Sequence, residues 1–197
     1  MNLFPENIKD QRVQTSVQGF GVKQGFIAHL QVSVTKAIAA SNIAILAATT
    51  LITTVNIVTG GITNPATPRN IKIVGNAAGI VGNVTVKGTN YNGESITETI
   101  ALNGITAVEG AKAFKTVTEI DLPIKTNASG DTVSVGFGEK LGLPYKLPHN
   151  TVLFAHLDNV KEATAPTVTT SATALESNTI KLSSALSGKI IDVYLIA

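Results

Sequence analysis

The chain has 197 residues, of which 44% are hydrophobic and 14% are charged, so it can bury a core and is not a disordered segment. Its formal net charge of +2 comes from 13 Lys and two Arg with no basic cluster, which argues against a nucleic-acid-binding surface. With no cysteine it has neither a disulfide framework nor a thiolate zinc site, while 25 threonines, 17 glycines and many valines and isoleucines favour β-strands.

The N-terminal residues 1–25 are predicted to be an arm, and residues 26–197 a β-sandwich domain. The arm is polar and glycine-spaced, and it carries two aromatic residues, Phe4 and Phe20. These are too few apolar groups for a core of their own, so we expect both rings to bind a partner surface. The alternative is that the arm packs back on its own sandwich.

An uncharged apolar stretch at residues 37–68 raises the question of a membrane span. Asn42, Asn56, the threonines and the pair Gly60-Gly61 argue against it. Closely spaced β-branched residues instead favour buried strands, preceded by one short Ala-rich helical turn. We therefore expect no membrane partner.

Period-two alternation and regular turn signals predict about ten to twelve short strands. This is typical of an all-β, β-sandwich or jelly-roll-like domain. The strands are expected within residues 26–35, 51–58, 71–74, 83–102, 113–123, 131–138, 151–158, 178–184 and 189–197. The last of these is nearly all apolar and is expected to be buried on both faces.

The Thr-, Ser- and Ala-rich segment 162–178 has two interpretations. It is either a linker that divides the domain or an edge strand that crosses between sheets. We favour the strand, because the apolar strands after it need a sheet to join.

The clearest local signal is Asn92-Gly93, between two runs rich in Thr, Val and Ile. It predicts a β-hairpin closed by a two-residue turn in which both residues have positive φ. Alternation places Thr97 and Thr99 on one face, and Ile96 and Ile100 on the other. The threonine face is either a surface for assembly between copies or a solvated sandwich face.

Candidate chemistry is sparse. His156 and Asp158 would share a strand face, and His149 could approach them from the preceding loop, so the three could form a metal site with two His and one carboxylate. We favour the alternative, that they are unrelated surface or rim residues, because the spacing is not that of a known metal motif. The glycine stretches 19–25 and 136–142 lack dinucleotide-binding spacing and are interpreted as loops where glycine permits positive φ. No Ser–His–Asp grouping stands out, so we expect a non-enzymatic protein without cofactor or metal.

Residues 53–104, "TTVNIVTGGITNPATPRNIKIVGNAAGIVGNVTVKGTNYNGESITETIALNG", resemble a recurring segment of tailed-bacteriophage virion proteins. Residues 112–123 and 130–147 are similar to the adjoining C-terminal part of those chains, and 185–197 resemble their usual end. The resemblance rests on a pattern of turns and strands and leaves residues 1–35 uncovered.

The resemblance implies a β-rich, oligomeric structural protein located in the virion. A capsid decoration (auxiliary head) protein that binds the major capsid protein on the outer face of the lattice is the leading expectation. A tail-tube, baseplate or fibre component is the alternative. A carbohydrate-binding β-sandwich ranks lower, because such modules use exposed aromatics and the chain has six Phe, three Tyr and no Trp.

Overall fold

The computed structural model describes residues 25–127 and 129–197, together with the backbone of residues 13–14 and 21–22. Within these residues the regular structure is β-strand, apart from the single 3-10 turn η1 (Leu175–Ser177). The strands in chain order are β1 (Val13–Gln14), β2 (Gly21–Val22), β3 (Ile27–Val32), β4 (Ser41–Thr50), β5 (Asn56–Val58), β6 (Arg69–Gly75), β7 (Asn83–Thr89), β8 (Ser95–Ala101), β9 (Val108–Phe114), β10 (Thr116–Leu122), β11 (Thr132–Gly142), β12 (Val152–Leu157), β13 (Val160–Lys161), β14 (Thr167–Thr169), β15 (Thr179–Lys181) and β16 (Ile191–Ile196). The predicted all-β, sandwich-like class is confirmed, but the described residues form sixteen strands rather than the expected ten to twelve, because several are pairings of only two or three residues. The described part of the chain holds no helix long and apolar enough to cross a bilayer.

The hairpin sheet has the strand order β5-β10-β7-β8. The predicted hairpin is its β7–β8 pair, which runs without a register shift from Asn83↔Ala101 to Thr89↔Ser95. Ile96 and Ile100 are buried, whereas Thr97 and Thr99 are exposed, as their alternation predicts.

The turn of this hairpin differs from the two-residue prediction. The Asn90 N–H donates to the Glu94 carbonyl at 2.9 Å, and the Gly93 N–H donates to the Asn90 carbonyl at 3.1 Å, so three residues form the loop. Within the loop Gly93 alone has a positive φ, of 85°. A turn followed by one left-handed residue is the usual form of a three-residue hairpin loop. The buried Asn90 side chain fixes it by accepting the N–H groups of Asn92 and Glu94.

The central sheet has the order β14-β15-β11-β6-β9, and β4 also pairs with β11. The prediction of a helical turn in the Ala-rich segment is wrong, since residues 41–50 form β4. Residues 113–123, expected as one strand, contain the end of β9 and all of β10. The edge-strand interpretation of 162–178 is confirmed by β14, which pairs with β15 at the edge of the sheet.

The hairpin sheet and the central sheet enclose the first core. It is aliphatic apart from two Phe rings and is built from alternate residues of both sheets: Ile45, Leu46, Leu51, Ile71, Ile73, Ile80, Val84, Val86, Ile96, Ile100, Leu102, Phe114, Val117, Ile120, Leu122, Val133, Val135 and Phe137. This is the packing expected for a β-sandwich.

The terminal sheet has the order β13-β12-β16-β3 and covers the second core. That core contains Ala28, Ala37, Leu141, Leu143, Leu147, Ala155, Leu157, Ile180, Leu182, Leu186, Ile191, Val193 and Leu195. The last strand was predicted to be buried on both faces, and this is wrong for its outer face. Its inner face is buried, but its outer face carries Asp192, Tyr194 and Ile196, and Ile196 is 42% exposed.

Strand β11 links the two cores through a bulge next to β6. Phe137 pairs with Ile71 and Leu141 with Arg69, so β11 has extra residues between these pairs. The Asn70 side chain fills the bulge by accepting the Lys140 N–H at 3.0 Å and donating to Glu109 at 3.1 Å. The buried Arg69 guanidinium donates to the carbonyls of Ile38 and Gly138.

The glycines of segment 136–142 were interpreted as loop residues with positive φ, and this is wrong. They lie in β11, and none of them has a positive φ. They are needed for close approach: a Cβ on Gly136 would lie 1.9 Å from the Ser41 carbonyl oxygen, and one on Gly138 would lie 2.5 Å from Asn70 Oδ1.

Candidate functional site

The outer face of the terminal sheet carries a row of three adjacent rings, with a fourth ring meeting two of them. Register places His29, Tyr194 and Phe154 side by side on the neighbouring strands β3, β16 and β12. The rings of His29 and Tyr194 stack at 4.5 Å with an interplanar angle of 4°, and those of Tyr194 and Phe154 lie 4.8 Å apart. His156 meets both Tyr194 and Phe154 edge-on. We call these four residues the ring row.

A buried carboxylate lies beside the ring row. Asp192 is 7% exposed and faces Gln31 on one neighbouring strand and His156 on the other. Its Oδ1 lies 2.7 Å from His29 Nε2 and accepts a hydrogen bond from Gln31 Nε2 at 3.0 Å. Burial alone would raise the pKa of Asp192, but the hydrogen bonds from Gln31 and His29, with the charges of His29 and His156, hold that pKa below its usual value.

The chemistry available to this arrangement is limited. A His–Asp pair orients an imidazole, but general-base catalysis also needs a group within hydrogen-bond reach to activate. The hydrogen bonds of the described residues connect no Ser or Thr hydroxyl to His29 or His156. In the same residues, no group of three or more His, Asp or Glu is placed to hold a metal ion.

The ring row also offers little to a sugar. Carbohydrate binding by aromatic residues uses an open ring face. Both faces of Tyr194 are covered, one by His29 and the other by Phe154. The arrangement is therefore better suited to fixing the three strands than to stacking a ligand.

An apolar corner adjoins the row where the chain enters β3. Phe26 is 54% exposed, Ile27 68% and Ile196 42%. Next to them lies an open groove of about 410 Å³, whose walls include Gly25, Tyr145, Pro148 and Ile196. Exposed aliphatic and aromatic groups that lie together on a surface commonly mark a contact with another protein.

The residues predicted from the sequence lie in separate places. Phe4 and Phe20 lie outside the described residues. His149 lines the groove, His156 belongs to the ring row, and Asp158 lies in a turn with a φ of 55°. Within the described residues these three are not part of a group of three or more His, Asp or Glu that could hold a metal ion.

The residues that sequence reasoning missed are His29 and Asp192. Alternation had placed His29 on the polar face of its strand, and Asp192 is the one charged residue of β16, so each carried a signal. Their separation of 163 positions hid the contact, which depends on the pairing of β3 with β16.

Comparison with known proteins adds no relative. No family model matches the chain, and neither the curated proteins nor the solved structures contain a match. The described residues define the class by fold alone: an all-β, sandwich-like protein.

Proposed function

We propose that this protein is a non-enzymatic structural protein of a tailed-bacteriophage virion that decorates the outer face of the capsid lattice. The observation that carries the proposal is the resemblance of residues 53–104 to a recurring segment of such virion proteins. That segment supplies β5, β6, β7 and β8, and hence apolar residues on both sides of the first core.

The surface is compatible with a role in assembly. Among the described residues fifteen large hydrophobic side chains are exposed, including Ile43, Ile57, Ile105 and Val160, each at 60% or more. Scattered exposed aliphatics are ordinary, but Ile27 and Ile196 are an exposed cross-strand pair at the β3 edge, which has no further partner strand among the described residues. Such a surface fits protein–protein contact better than a small-molecule site.

A binding experiment tests the proposal. Purified protein would be added to capsids assembled without it, at physiological salt, and the bound fraction measured by co-sedimentation. We expect saturable binding with a fixed stoichiometry per capsid. Bovine serum albumin serves as the control for trapping, and a bound fraction no larger than that of albumin would refute the proposal.

A tail-tube, baseplate or fibre component is the second candidate, favoured by the edge strand β3, whose outer side has no partner strand among the described residues. Tubes and fibres grow by repeated contact between copies, and a sheet edge can supply such a contact. Rings or rods formed by the isolated protein in electron micrographs would favour this candidate over the capsid. The carbohydrate-binding alternative is disfavoured by the covered faces of Tyr194, and a glycan array with specific hits would restore it.

A further inference from the structure

In the part of the chain that the structure describes, strand β3 is an edge strand of the terminal sheet. It pairs with β16 over all six residues, from Ile27↔Ile196 to Val32↔Ile191, without a register shift. Among the described residues no strand pairs with its other side. The strands that precede it, β1 and β2, pair with one another.

The pairing of β3 with β16 determines which backbone N–H and C=O groups of β3 point away from the sheet. Phe26 and Ala197 exchange both N–H···O=C bonds, at 3.3 and 3.0 Å. Such pairs alternate along an antiparallel ladder, so residues 28, 30 and 32 also bond to β16. The N–H and C=O groups of Ile27, His29 and Gln31 consequently point away from the sheet.

The remaining edges of the described sheets are protected, and that of β3 is not. The edge strands β5, β13 and β14 have two or three residues each, and β4 has two register shifts. The β8 edge approaches β9, where Glu98 accepts the N–H groups of Ala111 and Lys112. Strand β3 has no bulge and no Pro, Lys, Arg, Asp or Glu, and these are the devices that normally block edge pairing.

We propose that β3 pairs with the β3 of a second copy, antiparallel about a two-fold axis at His29. The terminal sheets of the two copies would then form one continuous sheet. This register places His29 opposite its own copy and Ile27 opposite Gln31, and it satisfies all the outward N–H and C=O groups of the three residues. It also keeps exposed side chains on one face and buried ones on the other, as antiparallel pairing requires.

A second copy fits this edge because the strand is complementary to itself. On the inner face Ala28 would meet the half-buried Leu30 of the other copy, which extends the second core across the interface. The titratable pair in this register is His29 with its own copy, and each imidazole lies 2.7 Å from the Asp192 carboxylate of its own chain. No Asp, Glu, Lys or Arg of β3 meets a like charge, and a shared surface patch is the usual basis of a two-fold dimer. The inference does not depend on the capsid assignment, because it concerns the isolated protein.

The absence of cysteine from the chain allows a direct test of the register. Ile27→Cys and Gln31→Cys would be made separately in the full chain and oxidised alone and as a mixture. In the proposed register residue 27 faces residue 31 of the other copy at about 5.5 Å between Cα atoms, which a disulfide can span. Two copies of residue 27 lie about 14 Å apart along the strands, which it cannot span. We expect cross-linked dimers in the mixture and few in either variant alone; equal cross-linking in all three samples, or none, would overturn the proposal.

Sedimentation equilibrium supplies the second test. We expect the wild type to reach twice the chain mass of 20.4 kDa as its concentration rises. Ile27→Pro removes an outward N–H and places its ring in the path of the partner, while the bonds to β16 come from other residues, so this variant should remain monomeric. Ile27→Val is the matched control and should still dimerise. A wild type that is monomeric at its highest soluble concentration, whether the edge is empty or covered by the chain's own N-terminal segment, would contradict the inference.

Discussion

Arg69 occupies the junction between the two cores. It is 1% exposed and lies over the Phe137 ring at 4.6 Å. Burial lowers its pKa to about 10, although Glu139 and Glu109 oppose this shift. The guanidinium remains charged at neutral pH and is held by carbonyl oxygens rather than by a contacting carboxylate.

Truncation of Arg69 should be costly. Arg69→Ala leaves a cavity and deprives the Ile38 and Gly138 carbonyls of a donor, so we expect a loss of about 3 kcal/mol or more in the free energy of unfolding. Arg69→Met keeps most of the volume and should lose less. Urea denaturation measures both, and an Ala variant as stable as the wild type would show that the guanidinium is not part of the packed junction.

The lowered pKa of Asp192 predicts that the free energy of unfolding depends on pH. Its pKa is lowered in the folded protein, so its contribution to stability is present above the unfolded pKa of about 3.9 and is lost as the pH falls through the folded pKa. We expect Asp192→Asn to cost about 2 kcal/mol at pH 7, from weaker hydrogen bonds with Gln31 and His29.

The difference between wild type and Asp192→Asn should therefore shrink as the pH drops below about 4. Unfolding free energies measured from pH 7 to pH 3 give this difference directly. A difference that stays constant over the range would mean that the carboxylate of Asp192 is not stabilised by its neighbours.

At the scale of elements, strand β16 is central in the terminal sheet. It lies between β12 and β3 and buries Ile191, Val193 and Leu195. Deletion of residues 189–197 removes these side chains, leaves β3 without its partner strand and leaves β12 paired only with the two-residue strand β13. Since a typical domain is stable by about 5–15 kcal/mol, we expect the deletion to abolish soluble folding.

The control for this deletion is Ile196→Ala, which changes an exposed side chain on the same strand. It should change stability by less than about 1 kcal/mol. Solubility and cooperative thermal unfolding report the outcome, and a truncated chain that stays soluble and unfolds cooperatively would contradict the prediction.

Sequence patterns predicted the elements that local chemistry determines. β3, β7 and β8 alternate strictly, so their existence and their buried faces could be predicted. Strand β9, with the sequence VEGAKAF, has no such signal, and its strand form depends on pairing with β6. Likewise, the alanines of β4 favour helix locally, but pairing with β11 holds them extended.

The candidate site depended more on tertiary structure. Each residue of the ring row was visible in the sequence, but the row exists because β12, β16 and β3 pair in one particular register. A one-residue slip of any of them would move its ring to the other face. Sequence reasoning from one chain has no access to such a register between distant strands.

At the scale of the whole molecule, the N-terminal residues 1–25 are the segment that we predict to contact a partner. Their two Phe rings are too few to form a core of their own. Fixing the backbone of such a segment in one conformation costs about 1–2 kcal/mol per residue in conformational entropy. We expect slow hydrogen exchange in residues 1–25 in the assembled particle and fast exchange in the isolated protein. Equal protection in the two states would show that this segment is not the contact.

We propose that this protein is part of the outer surface of a phage capsid. Immunogold electron microscopy of intact particles, with antibody raised against the purified protein, tests it most directly. We expect gold spread over the surface of the head, and none on particles assembled without the protein. Gold confined to the tail, or no gold on intact particles, would contradict the claim.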